Sequence, residues 1–296
     1  MKIPKTKQMT LAELEEKFAS EDDCKAYLKA RRWPDGVRCP RCGSDKVYEL
    51  KRPWHWQCRC SALGSYRFSV LVGTIFENTN YPLNTWFKVI YLMLSSKKGM
   101  SALQIHRMIG TGSYSTAWYM CHRIRVGLSN EEFRKLIGFV EVDETFIGGK
   151  AKNKHSNKRG GGRGPSGKTP IIGAVKRGGK VVARVIDNVD TKTLDDFVHE
   201  TVSHKVSLIS TDDNSGYRFL DRDFNHGVVH HASVEYVCGA VHTNTIDSFW
   251  SLIKRGIVGT FHKVSKKYLQ LYVAEFEFRY NNRKNPDIFG AAIRLC

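Results

Sequence analysis

The spacing of apolar residues predicts helices in the first part of the chain. Thr10 and Ser20 each begin a capping box, which predicts two short helices before residue 33. From Pro82 to about Leu128 apolar residues recur at intervals of three and four, which is the helical period. The segment between these helical parts is rich in Arg, Trp and Gly, and we expect few strands in it.

Beyond residue 136 the pattern changes to the alternation of apolar and polar residues that is typical of strands. The predicted strands cover residues 138–147, 171–175, 180–186, 206–211 and 228–237, and the predicted helices cover 191–202, 243–255 and 265–280. Three strands, a helix, two strands and two helices indicate an α/β domain of about 150 residues.

The net charge of the chain indicates which class of partner it binds. The chain has 296 residues, with 47 Lys and Arg against 29 Asp and Glu, and its formal net charge is +18. So large an excess favours nucleic acid as a partner, ahead of an anionic membrane surface. Part of it lies between Gly148 and Thr169, a predicted mobile loop with many basic residues and no acid. Because no apolar run has the ~18 residues of a transmembrane helix and no signal peptide is evident, we expect a soluble, unexported protein.

Four of the eight cysteines are clustered and predict a structural zinc site. Cys39 and Cys42 have the spacing of a zinc knuckle, whereas Cys58 and Cys60 are separated by one residue instead of two. Four thiolates would hold the ion tetrahedrally. One alternative stays open, in which Cys58 or Cys60 is not a ligand and His55 or water completes the site.

A helix-turn-helix unit is predicted next. Ser101 caps a short helix that Gly110 ends, and a second helix begins near Ser115. This arrangement fits the DNA-binding motif, although other helical hairpins share it. Basic residues flank both helices and favour DNA binding: Lys97, Lys98, Arg107, Arg123 and Arg125.

Three acidic residues occupy positions that suit a metal-dependent site. Asp143 leaves the apolar face of a strand, and Asp212 ends a buried strand, where open α/β sheets place their sites. On a later helix Asn244, Asp247 and Lys254 share one polar arc. Such acids can hold two divalent cations for phosphodiester displacement, and oxygen ligands select Mg or Mn. The pattern alone leaves open that each acid is a solvated surface residue.

Longer blocks of the sequence resemble a known family. They are Val140–Gly149, Ser210–Tyr217 and His242–Ile257, with shorter matches at Gly73–Glu77, Ser96–Gly99 and Phe276–Arg283. These blocks are similar to those of the ISXO2-like bacterial insertion-sequence transposases (family fifteen ninety-five). The resemblance implies an RNase-H-like DDE catalytic domain of the α/β class, preceded by a zinc ribbon and a helical, helix-turn-helix-like DNA-binding region.

The resemblance also implies a division of the chain and an activity. The expected parts are N-terminal helices at 1–30, a zinc ribbon at 31–76, a helical DNA-binding region at 77–135 and the catalytic domain at 136–296. The expected activity is Mg-dependent cleavage at the element's ends and transfer of the 3′-hydroxyl into target DNA. The partners would be terminal inverted repeats and target DNA, bound by a homo-oligomer in the bacterial cytoplasm with no membrane. The alternative is a catalytically inactive, sequence-specific DNA-binding derivative.

Site residues follow from the resemblance position by position. Asp143 and Asp212 match the first two acids of the triad, and the third ligand is Asp247 or Asn244. Asp247 is favoured because Lys254 then corresponds to the basic residue found seven positions after the third acid in many DDE enzymes. The family more often has Glu at the position of Asp247. The implied cofactors are two Mg or Mn ions and one structural zinc ion.

Overall fold

A computed structural model describes residues 8–59, 64–130, 133–149, 167–229 and 241–296. The chain divides into two compact units, of which the first comprises Met1–Glu131 with Arg283–Cys296 and the second Glu132–Asn282. The last residues therefore fold with the N-terminal part, whereas the sequence-based division places them in the catalytic domain. No helix within the described residues is long and apolar enough to cross a membrane.

The first unit contains helices and a small antiparallel sheet. Its helices are α1 (Leu11–Lys17), α2 (Glu21–Arg32), α3 (Leu83–Ser95), α4 (Ala102–Ile109), α5 (Tyr114–Leu128) and, at the chain's end, α10 (Ile288–Leu295). Its strands are β1 (Val47–Glu49), β2 (His55–Cys58) and β3 (Tyr66–Ser69), and within the described residues they pair in that order. The expectation of few strands around the cysteines was thus wrong. Pairing β2 with β3 sets Trp56 opposite Phe68, a cross-strand aromatic contact that stabilises the hairpin.

Both predicted capping boxes are confirmed. The Thr10 hydroxyl accepts a hydrogen bond from the Glu13 N–H, and the Glu13 carboxylate accepts one from the Thr10 N–H. Ser20 and Asp23 make the same reciprocal pair at the start of α2. These contacts satisfy backbone N–H groups that the first helical turn leaves unpaired. They join residues only three positions apart, so the sequence alone predicts them.

The C-terminal helix α10 was absent from the sequence-based elements and belongs to the core of the first unit. The Phe289 ring lies 5.7 Å from that of Phe18 and 5.5 Å from that of Phe87, centroid to centroid. The carbonyl of Cys296 accepts a hydrogen bond of 2.7 Å from the Ile75 N–H. Burial of these aromatic rings and this backbone hydrogen bond explain why the last residues belong to the first unit and not to the second.

The second unit is built on a mixed sheet. Its strands are β4 (Phe139–Ile147), β5 (Thr169–Lys176), β6 (Val181–Val185), β7 (Leu208–Asp212) and β8 (His226–Val229). Within the described residues the order is β6-β5-β4-β7-β8, with β4, β5 and β6 antiparallel and β7 and β8 parallel to β4. The predicted strand at 228–237 starts at His226 instead, and residues 230–240 lie outside the described ones.

Helices cover both faces of this sheet. They are α6 (Thr191–Thr201), α7 (Leu220–Asp223), α8 (Asn244–Gly256), followed by a π-helical turn at Ile257–Phe261, and α9 (Lys266–Asn281). Val140 and Val142 pack on one face with Leu194 of α6. On the other face Ile246 and Phe249 of α8 pack together with residues of α9. Alternation along β4 therefore directs Glu141 and Asp143 toward the face that α8 covers.

Candidate metal centres

Asp143, Glu144 and Asp212 form a cluster of partly buried carboxylates beside the carboxyl end of β7. One oxygen from each side chain lies within 4.8 Å of those of the other two. Strand register explains the proximity, because β4 and β7 run parallel with Glu141 paired to Ser210. Continued by two residues, this register sets Asp143 beside Asp212. The structure thus brings together the first two acids of the predicted triad.

The environment of Asp143 disfavours its negative charge. Burial raises its pKa to about 7, and the charges of Glu144, Asp212 and Asp247 act in the same direction. The indole N–H of Trp250 donates a hydrogen bond of 2.8 Å to its Oδ2 atom. Without a cation, this carboxyl therefore holds a proton up to near-neutral pH.

Glu144 is held by two polar side chains. The Tyr217 hydroxyl donates a hydrogen bond of 2.6 Å to Glu144 Oε2, and the Asn214 amide donates one to Glu144 Oε1. Burial raises the pKa of Glu144 and holds that of Tyr217 well above its usual range. Glu144 was not among the predicted ligands, because alternation sets neighbours such as Asp143 and Glu144 on opposite faces of a strand. Its adjacency to Asp143 was the one signal of a shared site.

The α8 residues lie on its exposed side, as the predicted polar arc requires. Asn244, Asp247 and Lys254 are exposed, whereas Ile246 is buried. The Asp247 carboxylate accepts a hydrogen bond of 3.3 Å from the Thr243 hydroxyl, and its charge acts on Asp143. Within the described residues, however, the close carboxylate cluster does not include Asp247.

The chemistry of this cluster fits a divalent cation. Three carboxylates converge, and burial, together with the charges of the neighbouring acids, raises the pKa of Asp143. A divalent cation would offset these charges, and a set of oxygen donors favours Mg or Mn over softer metals.

The predicted zinc ligands also converge. The sulfurs of Cys39, Cys42 and Cys58 lie within 4.8 Å of one another, and those of Cys42 and Cys58 are 3.6 Å apart. Gly43, at φ 72°, donates its N–H to the Cys39 carbonyl at 2.8 Å and closes the tight turn of the knuckle. Cys60 lies outside the described residues.

The fit to zinc rests on the thiol chemistry. Burial acts to raise the pKa of Cys39, but hydrogen bonds from the Arg41 and Cys42 backbone and from the neighbouring thiols lower it in sum. A lowered pKa favours the thiolate that binds metal. His55, the alternative fourth ligand, is not in the cluster, and its Nδ1 atom lies 2.8 Å from the Pro53 carbonyl oxygen.

Purified without chelator, the protein is expected to contain about one zinc ion per chain, because a ribbon this small lacks a large core of its own. Cys39→Ser should lose the ion and lower the melting temperature. Cys24→Ala is the matched control, since Cys24 is equally buried in α2 but is outside the cluster. Elemental analysis decides the matter, and a zinc-free protein with freely titratable thiols would contradict the assignment.

The zinc-binding segment presents basic side chains. Those exposed are Arg38, Arg41, Lys46, Lys51, Arg52 and Arg59. Arg59 lies over the ring of Tyr48, 4.6 Å from its centroid. Trp54 is partly exposed, but Trp56 is 3% exposed and packs against Phe68, so Trp56 does not contribute to this surface.

The helical pair α4–α5 forms as predicted in length and capping. The Ser101 side chain accepts from the Gln104 N–H, and Gly110 ends α4 at φ 71°. The α5 helix begins at Tyr114, one residue before the predicted start, and Ser113 caps it. Of the flanking basic residues, Lys97, Lys98 and Arg107 are exposed, Arg123 is partly buried and Arg125 is 1% exposed. Arg125 is therefore not available to DNA in this structure. Most of the predicted basic loop, residues 150–166, lies outside the described residues.

Two known domain families match the parts of the chain that contain the two candidate metal centres. The ISXO2-like transposase domain matches residues 135–281, which span β4 to α9 and contain the carboxylate cluster. The transposase zinc-ribbon domain matches residues 19–62, which contain the clustered cysteines.

Two relatives are similar to this chain. An uncharacterized protein in transposable element ISH50 of Halobacterium salinarum is 28% identical over 280 residues, 91% of this chain and 94% of the relative. An uncharacterized transposase-like protein of Haemophilus influenzae is 33% identical over 104 residues, 35% of this chain and 82% of the relative. With its zinc-ribbon and DDE domains, the chain belongs to the ISXO2-like family of insertion-sequence transposases.

Proposed function

We propose that this chain moves an insertion sequence by metal-dependent cleavage at the element's ends and transfer of the freed 3′-hydroxyl into target DNA. The observation that carries the proposal is the cluster of Asp143, Glu144 and Asp212 within the matched transposase domain. An RNase-H-like fold for this domain is part of the proposal. The order of the sheet, with β4 between antiparallel and parallel neighbours, supports it.

Asp143 and Asp212 would hold two Mg or Mn ions, with Asp247, Asn244 or Glu144 as the third ligand. Bound ions supply activation of water and stabilisation of the leaving oxygen in phosphodiester displacement. Trp250 orients the Asp143 carboxylate through its indole N–H. Lys254, exposed on α8 beyond Asp247, would bind a phosphate near the cleaved end.

DNA recognition is assigned to the first unit. The basic side chains beside the zinc site and the α4–α5 pair would bind the terminal inverted repeats, with α4–α5 acting as a helix-turn-helix. The basic loop from Lys150 to Lys168 would bind flanking or target DNA. Homo-oligomerisation on DNA, also proposed, would bring the two ends of the element together.

The function is tested with a linear DNA that carries the ends of the element and a plasmid target. We expect Mg- or Mn-dependent nicking at the ends and covalent joining to the plasmid, both visible on denaturing gels. Tight binding without nicking in either metal would favour the inactive DNA-binding derivative. Nicking without joining would indicate a nuclease instead.

DNA binding should weaken steeply with salt, because Lys and Arg side chains release counterions when they bind phosphates. Replacing Arg38, Arg41 and Lys46 by Ala should lower the slope of log affinity against log salt by about 0.9 for each phosphate that the variant no longer neutralises. Replacing exposed Lys192, Lys263 and Lys284 removes the same charge elsewhere and is the control. Equal slopes for the two triple variants would contradict DNA binding by the zinc ribbon.

A further inference from the structure

Glu141 is a fully buried carboxylate that caps the N-terminus of α8, although it lies about 100 residues earlier in the chain. It lies on β4 and is 0% exposed. Its Oε2 atom accepts from the backbone N–H groups of Thr245 at 2.7 Å and Ile246 at 3.0 Å, and its Oε1 atom accepts from the Thr245 hydroxyl at 2.8 Å. The helix's own N-cap residue, Thr243, makes no side-chain capping bond. The negative charge of Glu141 thus takes that role at the positive end of α8.

Arg177, directly after β5, extends this contact to two further segments. Its Nε atom donates to Glu141 at 2.7 Å. Its Nη2 atom donates to the Ser210 hydroxyl of β7 at 3.3 Å and to the His242 carbonyl, just before α8, at 2.9 Å. One guanidinium therefore connects β4, β7 and the segment that leads into α8.

The spacing of these contacts is regular with respect to the candidate metal ligands. Each contacted residue precedes a candidate ligand by two positions: Glu141 before Asp143, Ser210 before Asp212 and Thr245 before Asp247. In a strand, a step of two returns to the same face, so Glu141 and Asp143 point to the same side of β4, as do Ser210 and Asp212 on β7. A displacement at the Glu141–Arg177 pair would therefore move Asp143 and Asp212 through their own strands. Asp247 would move only with α8 as a whole, because a step of two residues turns about 200° around a helix.

We propose that the Glu141–Arg177 pair is a positioning device that sets the separation of the carboxylates on β4, β7 and α8. This inference rests on the proposed function, because it assumes that those carboxylates hold the metal ions. Apolar residues would pack these segments together without the desolvation that a buried ion pair requires. The fork of Arg177, by contrast, fixes three partners in direction as well as distance.

The test measures Mn²⁺ affinity of the full chain by calorimetry, in zinc-loaded protein without DNA. Glu141→Gln removes the charge at nearly constant volume, and we expect Mn²⁺ affinity to fall by about 10–100-fold, as is typical when a group that orients a metal ligand is lost. Arg177→Lys keeps the charge but not the fork, and a smaller loss is expected. On DNA carrying the element's ends, kcat should fall while the affinity for DNA stays unchanged.

A matched control separates positioning from mere loss of stability. Val198→Ala opens a cavity in the core on the opposite face of the sheet, where Val198 is 0% exposed. It should lower the melting temperature and leave Mn²⁺ affinity within about twofold of the unaltered chain, since it leaves the groups that orient the metal ligands in place. A fall in Mn²⁺ affinity of Glu141→Gln beyond that of this control supports the inference.

Three results would overturn the inference. The first is Mn²⁺ affinity of Glu141→Gln equal to that of the unaltered chain. The second applies if Glu141→Gln does not fold. Arg177→Lys and Ser210→Ala then take its place, and unchanged Mn²⁺ affinity in both variants would overturn the inference. The third is an unaltered chain that binds no Mn²⁺ and cuts no DNA, in which case the proposed function fails and the positioning role with it.

Discussion

Asp143→Asn should abolish cleavage and strand transfer and, at the same time, make the metal-free protein more stable at pH 8. Activity is lost because an amide cannot supply the negative charge that offsets two divalent cations. Stability rises because the replaced carboxylate is partly buried and lies beside Glu144 and Asp212, and because the charge of Asp247 acts on it in the same direction. Gains of stability on loss of a functional charge are typical of sites that are strained for activity.

The sign of the pH dependence follows from the pKa of Asp143, which is raised from 3.8 to about 7. Between these values the folded state holds the proton more tightly than the unfolded state, so its stability falls as the pH rises from 4 to 7 and stays low above. At about 1.4 kcal/mol per pKa unit, the full difference amounts to about 4 kcal/mol at most. Asp143→Asn should lack this decrease.

Chemical unfolding between pH 4 and 9 measures the effect, in buffer without divalent ions and without chelator, so that zinc is retained. Asp213→Asn is the control, because Asp213 is exposed, adjacent to Asp212 and outside the cluster. It should change neither activity nor the pH dependence. Added Mn²⁺ should stabilise the unaltered chain but not Asp143→Asn. A variant with the same pH profile as the unaltered chain would refute the electrostatic interpretation.

The features predictable from sequence were those with local causes. The capping boxes at Thr10 and Ser20 involve residues three positions apart, and the polar arc of α8 depends only on helical periodicity. The α10 helix has a local cap, in which the Asp287 carboxylate accepts from the Gly290 N–H, but its place in the first unit depends on contacts of Phe289 with rings far away in sequence. Short strands around the cysteines likewise depend on cross-strand pairs that periodicity does not reveal.

The site was predictable only in part, for the same reason. Asp143 and Asp212 were grouped in advance through the resemblance to the family, and only Asp212 was placed at the end of a strand. The parallel register of β4 and β7, which brings the two acids together, was not predicted. The approach of Glu144 to Asp212 depends on hydrogen bonds from Asn214 and Tyr217, and no periodicity encodes these. The burial of Glu141 was equally hidden, because alternation places it on the polar side of β4 and cannot show that α8 covers that side.

Asp247→Ala should abolish both cleavage and strand transfer, whereas Asn244→Ala and Glu144→Gln should only weaken them. Asp247 adds a third full negative charge near Asp143, and its exposed side chain can turn toward a cation. Asn244 offers a neutral carbonyl. Glu144 lies closer to the aspartates, but Tyr217 and Asn214 already donate to both of its oxygens. Losses of about 10–100-fold are typical of residues that orient a ligand.

Asp247→Glu should retain or raise activity, because it restores the longer acid that the family more often has at this position. Gel assays of nicking and joining in Mg and Mn, with Ser251→Ala on the same helix as control, distinguish the candidates. An inactive Asn244→Ala beside an Asp247→Ala that still joins strands would make Asn244 the third ligand. An inactive Glu144→Gln in the same comparison would instead make the ligand set that of the close cluster: Asp143, Glu144 and Asp212.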